Sequence, residues 1–451
     1  MQSWKQQISS IKEQFAGDSF SSVLARGASG TFILKIIGTA LAFVVQILLA
    51  RVLGEEQYGI FVYVITWLMV LLLVGKLGID TSLLKFAAAY RAKEQWGLFR
   101  GALKTGNRMT LIASSIVSIL LAFFVLAIGK WIKPDLQITA WIGCAVLPVM
   151  ALVQVRQAIM RSLQHVFLAV FPEFIIQPLL LAVFVVILVR STHALTAPIA
   201  MILYLGAFIV SLIAISFWCA KLVSKQAEKT EEETSMKEWI AVSIPLLMMS
   251  GFNLINHRAD IIMVGIIKDT TQAGFYFNAV KLANFLVWGL TAVNLVAAPL
   301  ISHLFTQGKK QELQKIASLA ALGIAIFTIP AGILVLLGGH WLLGLFNEAS
   351  KTAYPALVFL VIAQCLNALA GSVGYLLTMT GYQKEAAYVI GITAFINITL
   401  NAILIPYYGL AGAAVATMIS TIIWNLSMYI IVRKKLGIDP SIIGLFSGRM
   451  K

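Results

Sequence analysis

Polar side chains recur at helical spacing within otherwise apolar segments, and they are the groups that could bind a polar molecule or an ion. Four of them lie within about 100° of one another on a helix, at i, i+3, i+4 and i+7: Asn253, Asn256, His257 and Asp260. Arg258 points about 140° away from Asn253 by the same geometry and could line a different wall. Since unpaired polar groups are costly in apolar surroundings, the shared face is predicted to be wet or internally hydrogen-bonded.

Two other apolar segments carry polar faces of the same kind. Lys35 and Gln46 belong to a stripe about 80° wide on an early segment. Asn278, Lys281 and Asn284 lie on one side of a later segment. Together with Arg258, the two lysines could meet an anionic substrate.

A carboxylate, Glu173, lies in an apolar segment between two prolines. Pro172 and Pro178 are six residues apart, and proline removes helix hydrogen bonds and permits a bend. A bent helix with a buried acid suits a moving element. A static kink, with its Glu173 bound to a neighbouring hydroxyl, is the alternative.

The composition indicates what kind of protein positions these groups. Of 451 residues, 60% are apolar and 12% are charged, about half the charged fraction of a soluble domain. Long apolar runs occur in every quarter of the chain, most of them near the ~20 residues that cross ~30 Å of hydrocarbon. This pattern predicts a polytopic membrane protein and argues against a cytosolic enzyme, a nucleic-acid reader or a secreted disulfide scaffold.

Twelve spans are predicted, and all must be helices because each backbone N–H and C=O has to be paired within the membrane. The first six spans are residues 30–52, 58–78, 108–129, 138–160, 166–189 and 195–223. The second six are residues 239–267, 275–301, 315–338, 353–378, 385–406 and 410–432. The predicted fold class is therefore all-α, with two six-helix bundles around a central cavity.

The distribution of Lys and Arg predicts the orientation. With the N-terminus inside, the inside segments and adjoining span ends carry 24 of the 34 basic residues, and the outside loops carry six. This is a strong positive-inside signal, so both termini are predicted to be cytosolic. The net charge of +15 is then a topology signal with attraction to anionic lipid, and it requires no nucleic acid.

The two sets of spans also match each other in sequence. Residues 57–61 resemble 272–276 at an offset of 215, and residues 160–164 pair with 379–383 at an offset of 219. Two such lobes in the same orientation, with substrate at their interface, are a common transporter plan. The predicted domains are a cytosolic or interfacial segment (1–29), an N-lobe (30–223), a cytosolic linker (224–238), a C-lobe (239–433) and a cytosolic tail (434–451).

The polar faces have two interpretations. In the first, spans one, two, seven and eight line the central cavity and their polar groups bind substrate. In the second, Asn and Gln side chains join helices, and Lys35 extends to the membrane boundary. Asp260 is either a cation-coupling carboxylate or merely the partner of His257.

No enzyme or cofactor motif is found in the sequence. The segment around Lys76 lacks the upstream glycine and following hydroxyl of a phosphate-binding loop. There is no HExxH or GxSxG motif, and five His and three Cys have no metal-ligand spacing. We therefore predict no catalytic residues, no metal and no cofactor.

Three stretches carry a family resemblance. They are LARVLGEEQYGIF (49–61); the inside loop with KF (85–86), YRAK (90–93) and LFRGAL (98–103); and DIIMVG (260–265) with AGFY (273–276) and AVKL (279–282). With these stretches the chain resembles the Wzx-type polysaccharide flippases of the multidrug/oligosaccharidyl-lipid/polysaccharide exporter superfamily. Length, span number and the internal repeat agree with that resemblance.

The resemblance implies that an oligosaccharide linked to polyprenyl (undecaprenyl) pyrophosphate moves from the inner to the outer leaflet of a bacterial cytoplasmic membrane, with use of an ion gradient. It implies Lys35, Arg258 and Lys281 as contacts for the pyrophosphate or acidic sugars, and Glu173 and Asp260 for coupling. The remaining candidate substrate contacts are Gln46, Asn253, Asn256, His257, Asn278 and Asn284. The partners implied are the lipid-linked oligosaccharide, membrane lipid and other polysaccharide-assembly proteins.

Three other functions compete with this one. A multidrug or cation antiporter of the same superfamily would favour an acidic cavity, whereas the basic side chains in these spans balance or exceed Glu173 and Asp260. A lipid II flippase usually has fourteen spans. A membrane-bound polysaccharide polymerase or ligase would be an enzyme with a sizeable catalytic outer loop, and the predicted outer loops are short.

Overall fold

The computed structural model describes residues 19–191, 195–226 and 230–444. Within these ranges the backbone forms fourteen α-helices and no strand. Residues 1–18 of the predicted N-terminal segment, and 445–451 of the predicted tail, lie outside them. The all-α fold class is therefore confirmed for the described chain.

The helices follow one another with short connections. The first seven are α1 Ser19–Lys76, α2 Ile79–Ala92, α3 Trp96–Ile128, α4 Pro134–Ser162, α5 Val166–Phe171, α6 Gln177–Ser191 and α7 Ala197–Gln226. The next seven are α8 Met236–Ile267, α9 Thr270–Asn284, α10 Val287–Thr306, α11 Lys310–Gly344, α12 Tyr354–Ala370, α13 Val373–Met379 and α14 Gln383–Leu436. A π-helical turn, Pro172–Ile176, joins α5 to α6, so the irregularity indicated by the two prolines has this form.

Ten stretches of the described chain are long and apolar enough to cross a membrane, which makes this a multi-pass membrane protein. Two of them, Gly30–Lys76 and Gln383–Leu436, have 47 and 54 residues, which is more than twice the ~20 needed for one crossing. Each contains a glycine outside helical geometry, Gly54 with φ 74° and Gly409 with φ 55°. Residues with a side chain rarely adopt such angles, so each glycine marks a place where one crossing can end and another begin. The count of twelve spans stays a prediction.

The chain forms two compact units. The first contains Met1–Leu49 and Leu71–Leu247, and the second contains Ala50–Val70 and Met248–Lys451. The chain thus passes from one unit to the other inside α1 and inside α8. The lobes predicted from the repeat stay a prediction, and residues 50–70 group with the second unit.

Each unit has its own apolar core. In the first unit Phe86 of α2, Phe99 of α3 and Ile159 of α4 pack with Trp239 of α8. The Trp239 Nε1 donates a hydrogen bond to the Tyr90 hydroxyl at 2.9 Å. In the second unit the buried cluster joins α10, α11, α13 and α14, with Ile301, Ala317, Leu377 and Met428 among its members. Of the helices that carry the candidate site, α8 begins in the first core and α14 contributes to the second.

Helices occupy one predicted inside loop, and a break divides one predicted span. The predicted inside loop, residues 79–107, holds α2 and the start of α3. The predicted span 275–301 is divided into α9 and α10 at Phe285 and Leu286. At this break the Leu286 carbonyl accepts a hydrogen bond from the Thr328 hydroxyl of α11 at 3.3 Å. A partner on another helix thus satisfies a polar group at the break, and no local sequence signal predicts it.

Candidate functional site

Asp260 is the centre of a hydrogen-bonded cluster in the second unit. Its side chain is 3% exposed. One carboxylate oxygen accepts hydrogen bonds from the Tyr276 hydroxyl at 2.8 Å and the Thr417 hydroxyl at 3.4 Å, and the other accepts the Ile261 N–H at 2.8 Å. The carboxylate of α8 is therefore held between α9 and α14 by neutral donors.

His257 lies close enough to Asp260 for their charges to interact, but it does not bind the carboxylate directly. The side chain of His257 is exposed. Among the described residues, no ion pair or hydrogen bond joins it to Asp260. The partners of Asp260 are hydroxyl groups and a backbone N–H, which leaves the coupling interpretation open.

Two cations of the same unit make no direct bond to an acidic group in the described chain. Arg258 and Lys281 are half-buried on α8 and α9. The charge of Arg258 acts on Lys281, and the charge of Asp260 acts on Arg258. The Lys281 Nζ lies 5.1 Å from the centre of the Phe277 ring, a cation–π contact. Within the described chain, neither cation forms an ion pair or a hydrogen bond. Because a half-buried unpaired charge is costly, this pair could bind an anion.

Asn278 has a different environment from the one predicted. Its side chain is fully buried, with 0% exposure. Its amide oxygen accepts a hydrogen bond from the Tyr58 hydroxyl at 2.8 Å, and its amide nitrogen donates to the Ser350 hydroxyl at 3.1 Å. Both ends of the amide are thus occupied, so for Asn278 the geometry favours the helix-joining interpretation over substrate contact.

The other amides of α8 and α9 divide between the two interpretations. Asn256 is half-buried and donates to the Ile390 carbonyl of α14 at 3.2 Å, which joins two helices. Asn253 is half-buried on the same helix. Asn284, the last residue of α9, is exposed and is accessible to a ligand.

Three predicted site residues lie in the first unit. Lys35 of α1 is exposed and Gln46 is half-buried. Glu173 lies in the π-helical turn, is exposed, and accepts a hydrogen bond from the Gln157 amide of α4 at 2.9 Å. Its neighbour is therefore an amide, where the static alternative predicted a hydroxyl. A Cβ added at Gly38 would lie 2.5 Å from the Phe174 Cβ, so α1 packs directly on this turn.

Some side-chain contacts were not predicted from the sequence. The Lys76 Nζ donates to Asp80 Oδ2 at 2.8 Å and to Gln154 Oε1 at 2.9 Å. The i, i+4 spacing of Lys76 and Asp80 is a signal that could have revealed this pair. No spacing rule links Thr417 to Asp260, which lie 157 residues apart.

Residues related by the internal repeat touch each other in the second unit. A Cβ added at Gly274 would lie 2.9 Å from the Gly59 Cα, and one added at Gly59 would overlap the Thr270 carbonyl oxygen. These glycines stand at the offset of 215 found in the sequence. Nearby, the Arg51 Nε donates to the Leu345 carbonyl at 2.7 Å. The segment 50–70 therefore packs closely on α9 and fixes the helix that carries Lys281.

The fold is that of transporters in the exporter superfamily named above. The lipid II flippase MurJ, in an inward closed conformation, matches with a TM-score of 0.69 and 16% identity, covering 92% of this chain and 91% of that one. An inward-facing multidrug resistance MATE family transporter of the MOP superfamily matches with a TM-score of 0.68 and 13% identity, covering 91% and 94%. At such identities the likeness concerns the fold alone.

Sequence comparison identifies the family within that class. The model of the polysaccharide biosynthesis protein family matches residues 24–305, more than half of the chain. A membrane protein of Methanocaldococcus jannaschii, itself uncharacterised, is 21% identical over 417 residues, which are 89% of this chain and 82% of that protein. The probable low-salt glycan biosynthesis flippase Agl15 of Haloferax volcanii is 25% identical over 162 residues, 36% of this chain and 34% of that protein. The chain belongs to the polysaccharide biosynthesis protein family, and the resemblance to Wzx-type flippases is confirmed.

Proposed function

We propose that this protein is a flippase that moves an oligosaccharide linked to polyprenyl pyrophosphate from the inner to the outer leaflet of the cytoplasmic membrane. Family membership supports a role in polysaccharide assembly, such as that of an O-antigen-type surface glycan. A pyrophosphate and its sugars cannot cross hydrocarbon unaided, because each desolvated charge and hydroxyl is costly. The proposed mechanism is alternating access of a central cavity, with no enzymatic step.

The observation that carries this proposal is the unpaired cation pair of Arg258 and Lys281. Two neighbouring positive charges match the two phosphates of a pyrophosphate, and hydrogen bonds to charged groups are stronger than neutral ones. Lys35 is proposed as a further contact for acidic groups of the same substrate. The proposed contacts for sugar hydroxyls are Gln46, Asn253, His257 and Asn284, together with the amide oxygen of Asn256, whose nitrogen is bonded to the Ile390 carbonyl.

The same pair argues against the antiporter function. A cationic drug would be repelled by the positive charges of Arg258 and Lys281. The MATE-like fold favours neither function, because proteins with the same fold can transport different substrates. A basic site on this fold supports an anionic substrate.

The cytoplasmic membrane is the proposed location, with both termini cytosolic. Four exposed aromatic residues lie at the predicted outside ends of spans: Trp131, Trp341, Tyr407 and Tyr408. Trp and Tyr are enriched at membrane surfaces, which supports placing these helix ends at an interface. The bacterial origin implied by the resemblance stays a prediction, and the two relatives named above are archaeal.

Deleting the gene tests the proposal most directly. We expect lipid-linked oligosaccharide to accumulate on the cytosolic leaflet, where a lectin reaches it in inverted membrane vesicles but not in right-side-out vesicles. Re-expression of the intact chain should restore labelling of right-side-out vesicles. A deletion strain with an unchanged distribution between the leaflets would contradict the proposal.

The proposal includes coupling of flipping to an ion gradient. Asp260 is the first candidate for the coupling carboxylate, and Glu173 is the second. Asp260→Asn removes the charge but keeps an oxygen that can accept from Tyr276. We expect it to lower the gradient-driven flipping rate at least tenfold, to the rate seen without an ion gradient. The measurement is flipping of lipid-linked oligosaccharide in proteoliposomes with and without an imposed proton or sodium gradient. Glu348→Gln, a change of an exposed carboxylate in the same unit, should keep the full response, and an equal response from Asp260→Asn would exclude Asp260 from coupling.

A further inference from the structure

The linker between the two sets of spans lies along the start of α3. We call residues 230–235 the linker strap. The Glu233 N–H donates to the Gly97 carbonyl at 3.1 Å, and the Lys104 Nζ lies 2.7 Å from Glu232 Oε2. A Cβ at Gly101 would overlap the Glu233 carbonyl oxygen. Gly97 and Gly101, one turn apart, thus form the surface on which the strap backbone rests.

The segment after the last helix makes a corresponding contact in the second unit. We call residues 437–441 the tail clasp. The Asp439 N–H donates to Gln314 Oε1 at 2.6 Å, and the Asp439 carbonyl accepts from Gln314 Nε2 at 2.5 Å and from the Ser318 hydroxyl at 3.1 Å. Gln314 and Ser318 are one turn apart near the start of α11.

The two contacts are related by the internal repeat. Gln314 stands 217 residues after Gly97, and Ser318 stands 217 after Gly101, between the offsets of 215 and 219 seen elsewhere. In the first unit, the segment after the sixth predicted span is bound to the start of α3, which contains the third span. In the second unit, the segment after the twelfth span is bound to the start of α11, which contains the ninth. The relation is invisible in sequence because two glycines in one half correspond to an amide and a hydroxyl in the other.

The two contacts differ in how firmly they are held. Among the described contacts, the strap is joined to α3 by packing on the glycines, one backbone hydrogen bond and an ion pair whose side chains are 56% and 39% exposed. Its last residue, Ser235, accepts the Glu238 and Trp239 N–H groups of α8. Exposed ion pairs contribute little and are weakened by salt. The tail clasp has its three hydrogen bonds to α11, a fourth from the Tyr429 hydroxyl to Asp439 Oδ2 at 3.0 Å, and the adjacent Ile438 in the core at 3% exposure.

We propose that the linker strap is a releasable, salt-sensitive latch on α3, whereas the equivalent tail clasp is permanently closed. The start of α8 remains anchored when the strap releases, because Trp239 is bonded to Tyr90 and the Ser243 hydroxyl donates to Ser82 at 2.7 Å. Release therefore frees residues 230–234, while Ser235 stays bonded to the first turn of α8. The inference rests on these contacts and does not depend on the proposed transport function.

Two backbone amides report the two contacts separately. The Glu233 and Asp439 N–H groups each donate across one of them, so hydrogen exchange measured by mass spectrometry on the full chain in lipid nanodiscs distinguishes them. At low salt we expect the peptide with Glu233 to exchange at least tenfold faster than the peptide with Asp439. Raising the salt to 1 M, at which the screening length falls to about 3 Å, should accelerate only the first, by about two- to fivefold.

Three variants complete the test. Lys104→Gln removes the ion pair, so the strap should exchange at low salt as fast as it does at high salt in the unmodified chain. Gly101→Ala should cause the same acceleration by steric overlap, without a change of charge. Gln314→Ala should accelerate exchange at Asp439 and leave the strap unchanged. The proposal is overturned if both amides are equally protected at all salt concentrations, or if Lys104→Gln leaves the strap peptide as slow as in the unmodified chain.

Discussion

Changing Arg258 and Lys281 together to glutamine is expected to lower the flipping rate of lipid-linked oligosaccharide at least tenfold, while the amount of protein in the membrane stays unchanged. Neither cation forms an ion pair in the described chain, so the double change breaks no direct ion pair; Asp260 loses only the nearby charge of Arg258. A hydrogen bond to a charged group contributes about 1.5–3 kcal/mol, and 1.4 kcal/mol corresponds to a tenfold change in rate. The measurement is glycan display at the cell surface, with the leaflet assay as its direct counterpart.

The control variants distinguish the loss of these two particular cations from a general change in net charge. Changing Lys309 and Lys384, two exposed cations of the same unit, to glutamine alters the net charge equally and should leave flipping unchanged. Lys281→Ala alone should weaken export with insertion intact, and Lys281→Arg should retain most of the activity because the charge is kept. Normal glycan display from the double variant would remove Arg258 and Lys281 from the substrate site.

The second large effect is expected at the contact between the repeat-related glycines. Gly59→Leu should abolish folding of the second unit, because even the Cβ would overlap the Thr270 backbone oxygen, and a backbone atom cannot move aside as a flexible side chain can. Gly59→Ala, the smallest change, should destabilise the protein by about 1–3 kcal/mol, the usual cost of overpacking. The measurement is the yield of monodisperse protein for the first variant and the Tm in detergent for the second.

A matched glycine shows whether size alone is responsible. Gly338 lies within α11 of the same unit, and a Cβ there would meet only Leu342 of its own helix at 3.9 Å. Gly338→Leu should therefore give a normal yield and a nearly unchanged Tm. Equal yields for Gly59→Leu and Gly338→Leu would contradict the close contact between the segment 50–70 and α9.

The contact at Gly59 also connects stability to function. It holds α9, which carries Lys281, against a segment that is distant in sequence. Gly59→Ala should consequently lower flipping as well as the Tm, since Lys281 would move relative to Arg258. The Arg258 and Lys281 variants should lower flipping alone.

The membrane class and the helical fold were predictable from the sequence, and the internal repeat is visible in it. These properties depend on local features: the length of an apolar run, the spacing of polar residues around a helix, and the order of spans. The irregularity near Pro172 was predictable for the same reason, because it follows from two prolines close together in the chain. The break between α9 and α10 could not be predicted, because the carbonyl freed there is hydrogen-bonded by Thr328 of another helix.

Only the tertiary structure decided what each polar residue does. Asn278 and Asn284 are one residue type on one short helix, yet Asn278 is bonded to Tyr58, 220 positions away, and Asn284 is exposed. Asp260 is likewise held by Thr417, 157 positions away. A hydrogen bond forms wherever a donor and an acceptor come within about 3 Å, and a helical pattern tells which face a residue occupies but not what lies opposite. The sequence by itself therefore determined which residues could bind a substrate or an ion, and the packing of distant helices determined which of them are already bound to the protein.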